Sequence, residues 1–289
     1  MTGPHLVTGP IVPATLDGWS LLHQAFRVRW PALRALSSSV RSSLASEVAR
    51  ALEVPATDGL TGFVQLLGHK GDLLLIHARR DFDALSQAQL HVATSSLFEY
   101  LEPTFSYVSI VELGMYEMTA KLHGELAGRG LEAGTDAFAQ ALAEAMADQA
   151  KRVSSRLFLE LPRRRHVCFY PMNKRRGEVK NWYSAPFEER AGMMREHGHI
   201  GRKYAGKVTQ IISGSIGFDD WEWGVDLFAD DPAIFKQLIY EMRFDRASAD
   251  YAEFGDFAVG VQFDRAELSV LLEGRTPALI AAPDATAQR

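Results

Sequence analysis

The stretch from Val208 to Met242, VTQIISGSIGFDDWEWGVDLFADDPAIFKQLIYEM, carries two periodicities in succession. Residues 208–213 read as a strand that sets Val208, Gln210 and Ile212 on one face. Residues 221–228 alternate Trp221, Trp223, Val225 and Leu227, the period of two that marks a strand with one buried side. Asp231-Pro232 then opens a helix, with an acid at the cap and proline at the first helical position. Phe235, Leu238, Ile239 and Met242 return at helical spacing as its buried stripe. Strand, strand, helix is the centre of a β-α-β-β-α-β unit, and the flanking sequence completes it.

Upstream of that stretch lie a short strand at 166–170 and a helix at 186–204; downstream, a strand at 255–263 closes the set. The first half of the chain repeats the order. A strand is expected at 19–28, a helix at 31–52 with Leu33, Leu36, Val40, Leu44, Val48 and Leu52 on one stripe, strands at 61–67 and 72–77 joined by Gly68-His69-Lys70-Gly71, a helix at 84–101 and a strand at 106–116. The expected fold class is therefore α+β. It consists of two ferredoxin-like halves with antiparallel sheets, set together in a dimeric α+β barrel-like arrangement. The divisions are an arm (1–16), the N-terminal half (17–117), a linker (118–165) with a helix at 135–151, the C-terminal half (166–265), and a helical end with a flexible tail (266–289).

Composition narrows the function classes. With 31 Lys+Arg against 36 Asp+Glu the 289-residue chain carries a net charge of −5, which argues against a nucleic-acid binder. The single cysteine, Cys168, excludes an intramolecular disulfide and a Cys-rich zinc site. No basic segment followed by a long apolar run opens the chain, and no uncharged stretch is long enough to span a bilayer. A soluble, cytoplasmic protein is the expectation. Walker, G-x-G-x-x-G, H-E-x-x-H and G-x-S-x-G patterns are absent, so the common kinase, nicotinamide, zincin and hydrolase readings lose support.

Against the acidic background, residues 163–176 (RRRHVCFYPMNKRR) bring together six cations, which suit an anionic ligand as well as a solvated strand end. Tyr170 stands just before a proline, with Met172 and Lys174 following, so a phenol and an ammonium share one strand end. On the helix at 186–204, His197 shares a face with Met193, Met194, Ile200 and Gly201, while His199 lies about 200° around among Arg195, Glu196 and Arg202. An imidazole on such an apolar face is either an axial ligand to haem iron or a buried histidine bonded to backbone. Gln210 must find a partner or point into a pocket. Arg243 and Ser248 suit a carboxylate, or a helix end and a turn.

Several of these segments occur together and in order: Tyr170-Pro171-Met172-Asn173-Lys174-Arg175-Arg176, Asn181-Trp182-Tyr183, Met194-Arg195-Glu196-His197-Gly198, Gly206-Lys207-Val208, residues 217–225 (GFDDWEWGV) and Tyr240-Glu241-Met242-Arg243-Phe244-Asp245. In this the sequence resembles the coproheme decarboxylases of the chlorite dismutase superfamily, densely across 156–260 and only in pattern across the first half. The resemblance implies a homopentamer of paired ferredoxin-like halves with haem bound in the second. It implies a substrate, Fe-coproporphyrin III, that is also the redox cofactor. Hydrogen peroxide drives loss of two propionate carboxyls, and haem b is the product. A transient contact with coproporphyrin ferrochelatase is part of the same expectation.

By resemblance His197 is the proximal ligand, and Tyr170 forms the radical that takes hydrogen from a propionate. Lys174 assists at the other reactive propionate, Met172 lines the pocket, and Arg156, Arg243 and Ser248 hold propionates. Gln210 occupies the distal side where chlorite dismutases place arginine, which argues against chlorite chemistry. Phe158 departs from the tyrosine that many relatives carry two positions beyond the equivalent of Arg156. Glu241, Asp245 and Asp256 are all candidates for the acceptor of the His197 ring. A peroxidase or chlorite-decomposing enzyme and a non-catalytic haem carrier are the competing readings.

Overall fold

A computed structural model of the chain describes residues 11–279. The N-terminal half runs β1 (Thr15–Val28), α1 (Trp30–Arg34), α2 (Ser38–Ala51), β2 (Gly59–Leu66), β3 (Leu73–Arg79), α3 (Phe82–Ala93) and β4 (Leu101–Gly114). Helices α4 (Tyr116–Gly128), α5 (Asp136–Arg152) and α6 (Ser154–Leu157) follow. The C-terminal half runs β5 (His166–Lys174), α7 (Phe187–Arg202), β6 (Val208–Gly214), β7 (Trp223–Ala229), α8 (Ala233–Met242), α9 (Arg246–Ala249), β8 (Ala252–Phe254) and β9 (Ala258–Phe263), with α10 (Leu268–Leu272) at its end.

Each half is an antiparallel sheet with ferredoxin-like strand order, β4-β1-β3-β2 in the first and β9-β5-β7-β6 in the second. The edges of one sheet pair with the edges of the other, β4 with β6 and β2 with β9. The sheets thus close into a ring of every strand except β8, which extends the far end of β5. Closure removes the open edges that two separate sheets would present.

Alternation along each strand sorts the apolar residues into three layers. Leu21, Ala25, Val64, Ile76, Val111, Ile211 and Phe228 fill the ring. Phe26, Phe63, Leu73 and Leu75 face α2 and α3 on the outside of the first sheet. Cys168, Tyr170, Val225 and Leu227 meet α8 on the outside of the second, through Phe235, Leu238 and Met242. Inside the ring, His23 of β1 turns Nε2 toward both Asp226 carboxylate oxygens of β7, at 3.0 and 3.1 Å.

Several boundaries differ from expectation for identifiable reasons. The helix expected over 31–52 breaks where the Ser37 hydroxyl accepts from Val40 N–H and caps α2. Val40 leaves the apolar stripe and is 43% exposed. The helix expected over 84–101 stops at Ala93, and a single 3₁₀ turn, Ser96–Tyr100, leads into β4. The strand expected over 255–263 begins only at Ala258 as β9, and the short strand β8 before it was not expected. Helix α4 has no counterpart in the sequence expectations; its apolar residues Leu122 and Leu126 lie on one face. Of the expected arm, residues 15 and 16 belong to β1, and residues 1–10 lie outside the described residues. Of the expected tail, residues 276–279 fold back, with Asp264 N–H donating to Ala278 O at 3.0 Å and Ala278 N–H to Glu267 Oε2 at 3.1 Å. Residues 280–289 lie outside the described residues.

Candidate functional site

The register of the second sheet builds one wall of the site. Tyr170 pairs with Val225, which pairs with Ile212; Cys168, Leu227 and Gln210 form the row on one side of these and Met172, Trp223 and Gly214 the row on the other. Side chains on one face alternate, so Tyr170, Met172, Gln210 and Ile212 all stand on the outer face. With strands spaced about 4.8 Å apart, Tyr170 and Ile212 are roughly 10 Å apart. Gln210 is exposed, and Ile212 keeps 39% of its surface open. Tyr170 is buried: its ring stacks on Phe257 (4.6 Å, 27°) and is tilted against Phe254 (5.8 Å, 58°). Burial raises its phenol pKa well above the usual tyrosine value.

Helix α7 carries His197. Met193, one turn before it, packs with Trp182, Ala247 and Tyr251, and Ile200 packs with the cluster containing Tyr170 and Val225. His199, Arg195, Glu196 and Arg202 are exposed on the other side of the helix, as the spacing requires. The Nδ1 atom of His197 lies 2.9 Å from Asp245 Oδ2, and its side chain is 27% exposed against 2% for Asp245. Asp245 also caps α9, accepting from Ser248 N–H at 2.9 Å, and the Ser248 hydroxyl donates to it at 3.3 Å. Burial would raise the Asp245 carboxyl; the bonds from His197 and Ser248 outweigh it and hold the group below the ordinary aspartate value. Of the three acids open as acceptors, Asp245 takes the ring.

Lys174 reaches the same group from β5. It is 8% exposed, its ammonium donates to Ala247 O in α9 at 2.8 Å, and it sits 4.4 Å from the centre of the Trp182 ring. Burial pulls its pKa down to about 8, with Asp245 and Glu222 partly opposing the shift. Arg243 ends α8 and lies over the ring of Phe254 at 5.0 Å. The structure thus gathers His197, Asp245, Ser248 and Lys174 around α9, and Tyr170, Met172 and Arg243 around Phe254. Arg156 is exposed on α6, which packs on β1 and β4. Among the described residues it makes no hydrogen bond or ion pair with the others. Phe158 is 41% exposed and sets an edge against Trp19 at 5.2 Å.

Sequence reasoning gave Trp182 no role beyond its place in the Asn181-Trp182-Tyr183 motif and did not single out Phe254 or Phe257. The signal for Asp245 was present, since Asp-x-x-Ser is the spacing of a capped short helix. Nothing local marks Phe254 and Phe257, which reach Tyr170 only because β8 and β9 flank β5.

The same architecture occurs in known proteins. A model of the family described as chlorite dismutase matches residues 41–263. The chain belongs to the chlorite dismutase family. A protein of Natronomonas pharaonis whose name credits it with heme binding is 42% identical over 264 residues, which is 90% of this chain and 41% of that protein. The chain spans about two-fifths of that relative's length. A solved structure described as a novel heme-binding protein from Thermus thermophilus superposes with a TM-score of 0.77 at 38% identity, covering 92% of this chain and 99% of the other. Chlorite dismutase from Candidatus Nitrospira defluvii in complex with imidazole superposes with a TM-score of 0.67 at 16% identity, covering 89% and 95%, which shows the shared fold alone.

The donor set of this family member suits a macrocycle-held iron better than a bare ion. Among the described residues no cluster of three His, Cys, Asp or Glu side chains could hold a metal. A lone imidazole, with one nitrogen fixed by a buried carboxylate and Nε2 unbonded among the described residues, could supply a single ligand to an iron whose other ligands a porphyrin would provide. Among the described residues no helix is long and apolar enough to cross a membrane.

Proposed function

We propose that the chain binds Fe-coproporphyrin III through His197 and uses hydrogen peroxide to convert two of its propionates to vinyl groups, releasing haem b. The observation that carries this reading is the oriented His197–Asp245 pair beside a sheet face bearing a buried phenol, Tyr170. The heme-binding descriptions of the Natronomonas and Thermus relatives support a porphyrin ligand. The balance for each propionate is one peroxide consumed, one carboxyl lost as carbon dioxide with its proton, one hydrogen removed from the methylene attached to the macrocycle, and two waters formed, the two methylene carbons becoming the vinyl group. The bound iron porphyrin, when present, supplies the peroxide-dependent oxidising power.

The residues have separable roles. Asp245 fixes the His197 tautomer and ring plane, because a carboxylate accepts only from a protonated Nδ1, which leaves Nε2 to ligate. Tyr170 passes a hydrogen atom: its phenolic O–H bond is the one broken when it is oxidised, and it is restored by hydrogen from the propionate side chain. A phenol is protonated at neutral pH and burial moves its ionisation further into the alkaline range, so the hydrogen is there to give. Lys174, with a pKa near 8, can hold or release a proton close to neutrality. Gln210 offers a neutral amide on the sheet side and no fixed cation to retain an oxyanion such as chlorite. Arg156, Arg243 and Ser248 are assigned to propionate carboxylates, and Met172 to the pocket wall.

Mass spectrometry of the bound porphyrin before and after peroxide tests the reading. Loss of two carboxyl equivalents supports it, together with near-abolished turnover and retained porphyrin binding in Tyr170→Phe. Unchanged porphyrin mass points to a carrier, and sustained oxygen release from chlorite points to chlorite decomposition; either outcome overturns it.

A further inference from the structure

The assigned role of Tyr170 asks for a ring held at one angle, and β5 alone does not hold it. The strand fixes the backbone, but the ring can still swing about two side-chain torsions, the outer of which is soft. Its hydroxyl moves with it by ångströms. Besides Phe254 and the cluster under α8, the ring meets the loop between β8 and β9, residues 255–257, whose Phe257 makes the closest ring contact, stacking on it at 4.6 Å.

That loop is anchored at both of its ends. Gly255 N–H donates to Pro171 O, the residue after Tyr170, at 2.9 Å. A side chain at Gly255 would meet Pro171 Cγ at 2.7 Å and the Trp221 ring at 2.9 Å, so only glycine lets the loop lie this close to β5. At the other end, Lys70 Nζ donates to Phe257 O at 2.9 Å and lies 3.7 Å from Asp256 Oδ1. Lys70 sits at the tip of the β2–β3 hairpin, in the other half of the barrel. The pairing of β2 with β9 brings that tip over the loop.

We propose that Phe257 is a positioning residue for Tyr170, and that Lys70 carries this control across from the N-terminal half by holding the Phe257 carbonyl. The inference rests on the reading of Tyr170 given above, and its test is readable without turnover. It also gives the N-terminal half a part in the chemistry beyond closing the barrel.

The full-length protein labelled with ¹³C at the tyrosine ζ carbon, with the Tyr170 signal assigned through Tyr170→Phe, reports the ring directly. In Phe257→Leu the Tyr170 signal should shift and its ionisation midpoint fall by about one pH unit or more, because burial is what raises it. Phe257→Tyr, which keeps a stacked ring, should restore the wild-type signal. Lys70→Met leaves the ring in place but frees the loop, so it should broaden or shift the same signal, and Lys70→Arg should not. With Fe-coproporphyrin III and peroxide, Phe257→Leu should lower kcat roughly tenfold at a KM within about twofold, a misplacement cost rather than a binding cost. Adding Lys70→Met to Phe257→Leu should cost nothing further, since both act through one ring. Wild-type Tyr170 signals and ionisation in both Phe257→Leu and Lys70→Met would overturn the proposal. If the wild type fails to decarboxylate its porphyrin, the functional reading falls, and the labelled-tyrosine comparison still decides the positioning role. Should Phe257→Leu fail to fold, the Lys70→Met and Lys70→Arg pair decides it.

Discussion

Asp245 is the residue on which the site's chemistry turns, because it acts on His197 and on α9 at once. Changing it to asparagine keeps the shape and the Ser248 cap but removes the negative charge that fixes the imidazole. Loss of such an outer partner weakens metal ligation by about 10- to 100-fold. Asp245→Asn should therefore weaken haem binding by about that factor in a spectrophotometric titration, with little change in the far-ultraviolet dichroism of the unliganded chain. Equal affinities would mean that the carboxylate merely caps α9. Lys174 gives a prediction in pH. Its pKa falls from 10.5 to about 8 on folding, so at neutral pH the folded chain carries the cost of a buried charge. Between pH 8 and 10.5 the unfolded chain binds the extra proton, so stability rises with pH over that window. Against Lys174→Met, which has no charge to lose, the wild type should gain up to about 3 kcal/mol across the window in urea unfolding. Parallel curves for the two proteins would show that the ammonium is not desolvated.

At the scale of elements, β3 shows what patterning reveals and what it hides. Its apolar run announces a strand with both faces covered, and the structure has one, Leu73–Arg79, with every residue buried. The same run gives no hint that His77 is completely buried between sheet and helices. Thr61 Oγ1 is 3.1 Å from its Nδ1, and Nε2 lacks a hydrogen-bond partner among the described residues. Burial, reinforced by Arg79 and His23, pulls the His77 pKa down to about 3, so the folded protein keeps it neutral while the unfolded chain protonates near pH 6.5. Stability contributed by the neutral ring is complete above pH 6.5 and drains away as pH falls toward 3. By pH 4 the loss should reach roughly 3 kcal/mol, and His77→Gln, which can still bond Thr61, should lack that component. Identical acid limbs for the two proteins would refute the assignment. The candidate site was legible in the same partial way. Periodicity separated His197 from His199 because the two lie on opposite sides of one helix. It left the acceptor open among Glu241, Asp245 and Asp256, since that choice depends on how α9 folds back. It missed Phe254 and Phe257, which meet Tyr170 through strand pairing far apart in sequence. Helix α4 escaped because its apolar residues are spread thinly between charged ones.

For the whole molecule, repeated β-α-β-β-α-β order fixes two sheets, and the edges then have to go somewhere; closing into one barrel is how both halves satisfy them. Closure puts the inward faces of the two sheets into one interior, and there the halves exchange more than apolar contacts. Gly18 of β1 allows the linker to cross at a distance no side chain would permit, since a β-carbon there would lie 2.1 Å from Leu157 O. Deeper in, His23 from the first half and Asp226 from the second form a pair at 0% and 1% exposure, with His23 stacked 4.2 Å from Phe169, the neighbour of Tyr170. A buried pair of this kind contributes little net stability, but breaking it by removing one partner costs about 3 to 5 kcal/mol, because the other is left desolvated and unpaired. Asp226→Leu should therefore destabilise the protein by that amount in urea unfolding, and so should His23→Leu. The double variant should recover much of the loss, giving a coupling well above 1 kcal/mol, since an apolar pair suits the surrounding Phe169 and Leu21. Because the partners belong to different halves, the single variants should also separate the unfolding of the two sheets, visible as a fluorescence transition that no longer coincides with the loss of dichroism. Additive single effects with one coincident transition would show that the pair does not couple the halves, and that strand pairing at β4–β6 and β2–β9 alone makes the barrel fold as a unit.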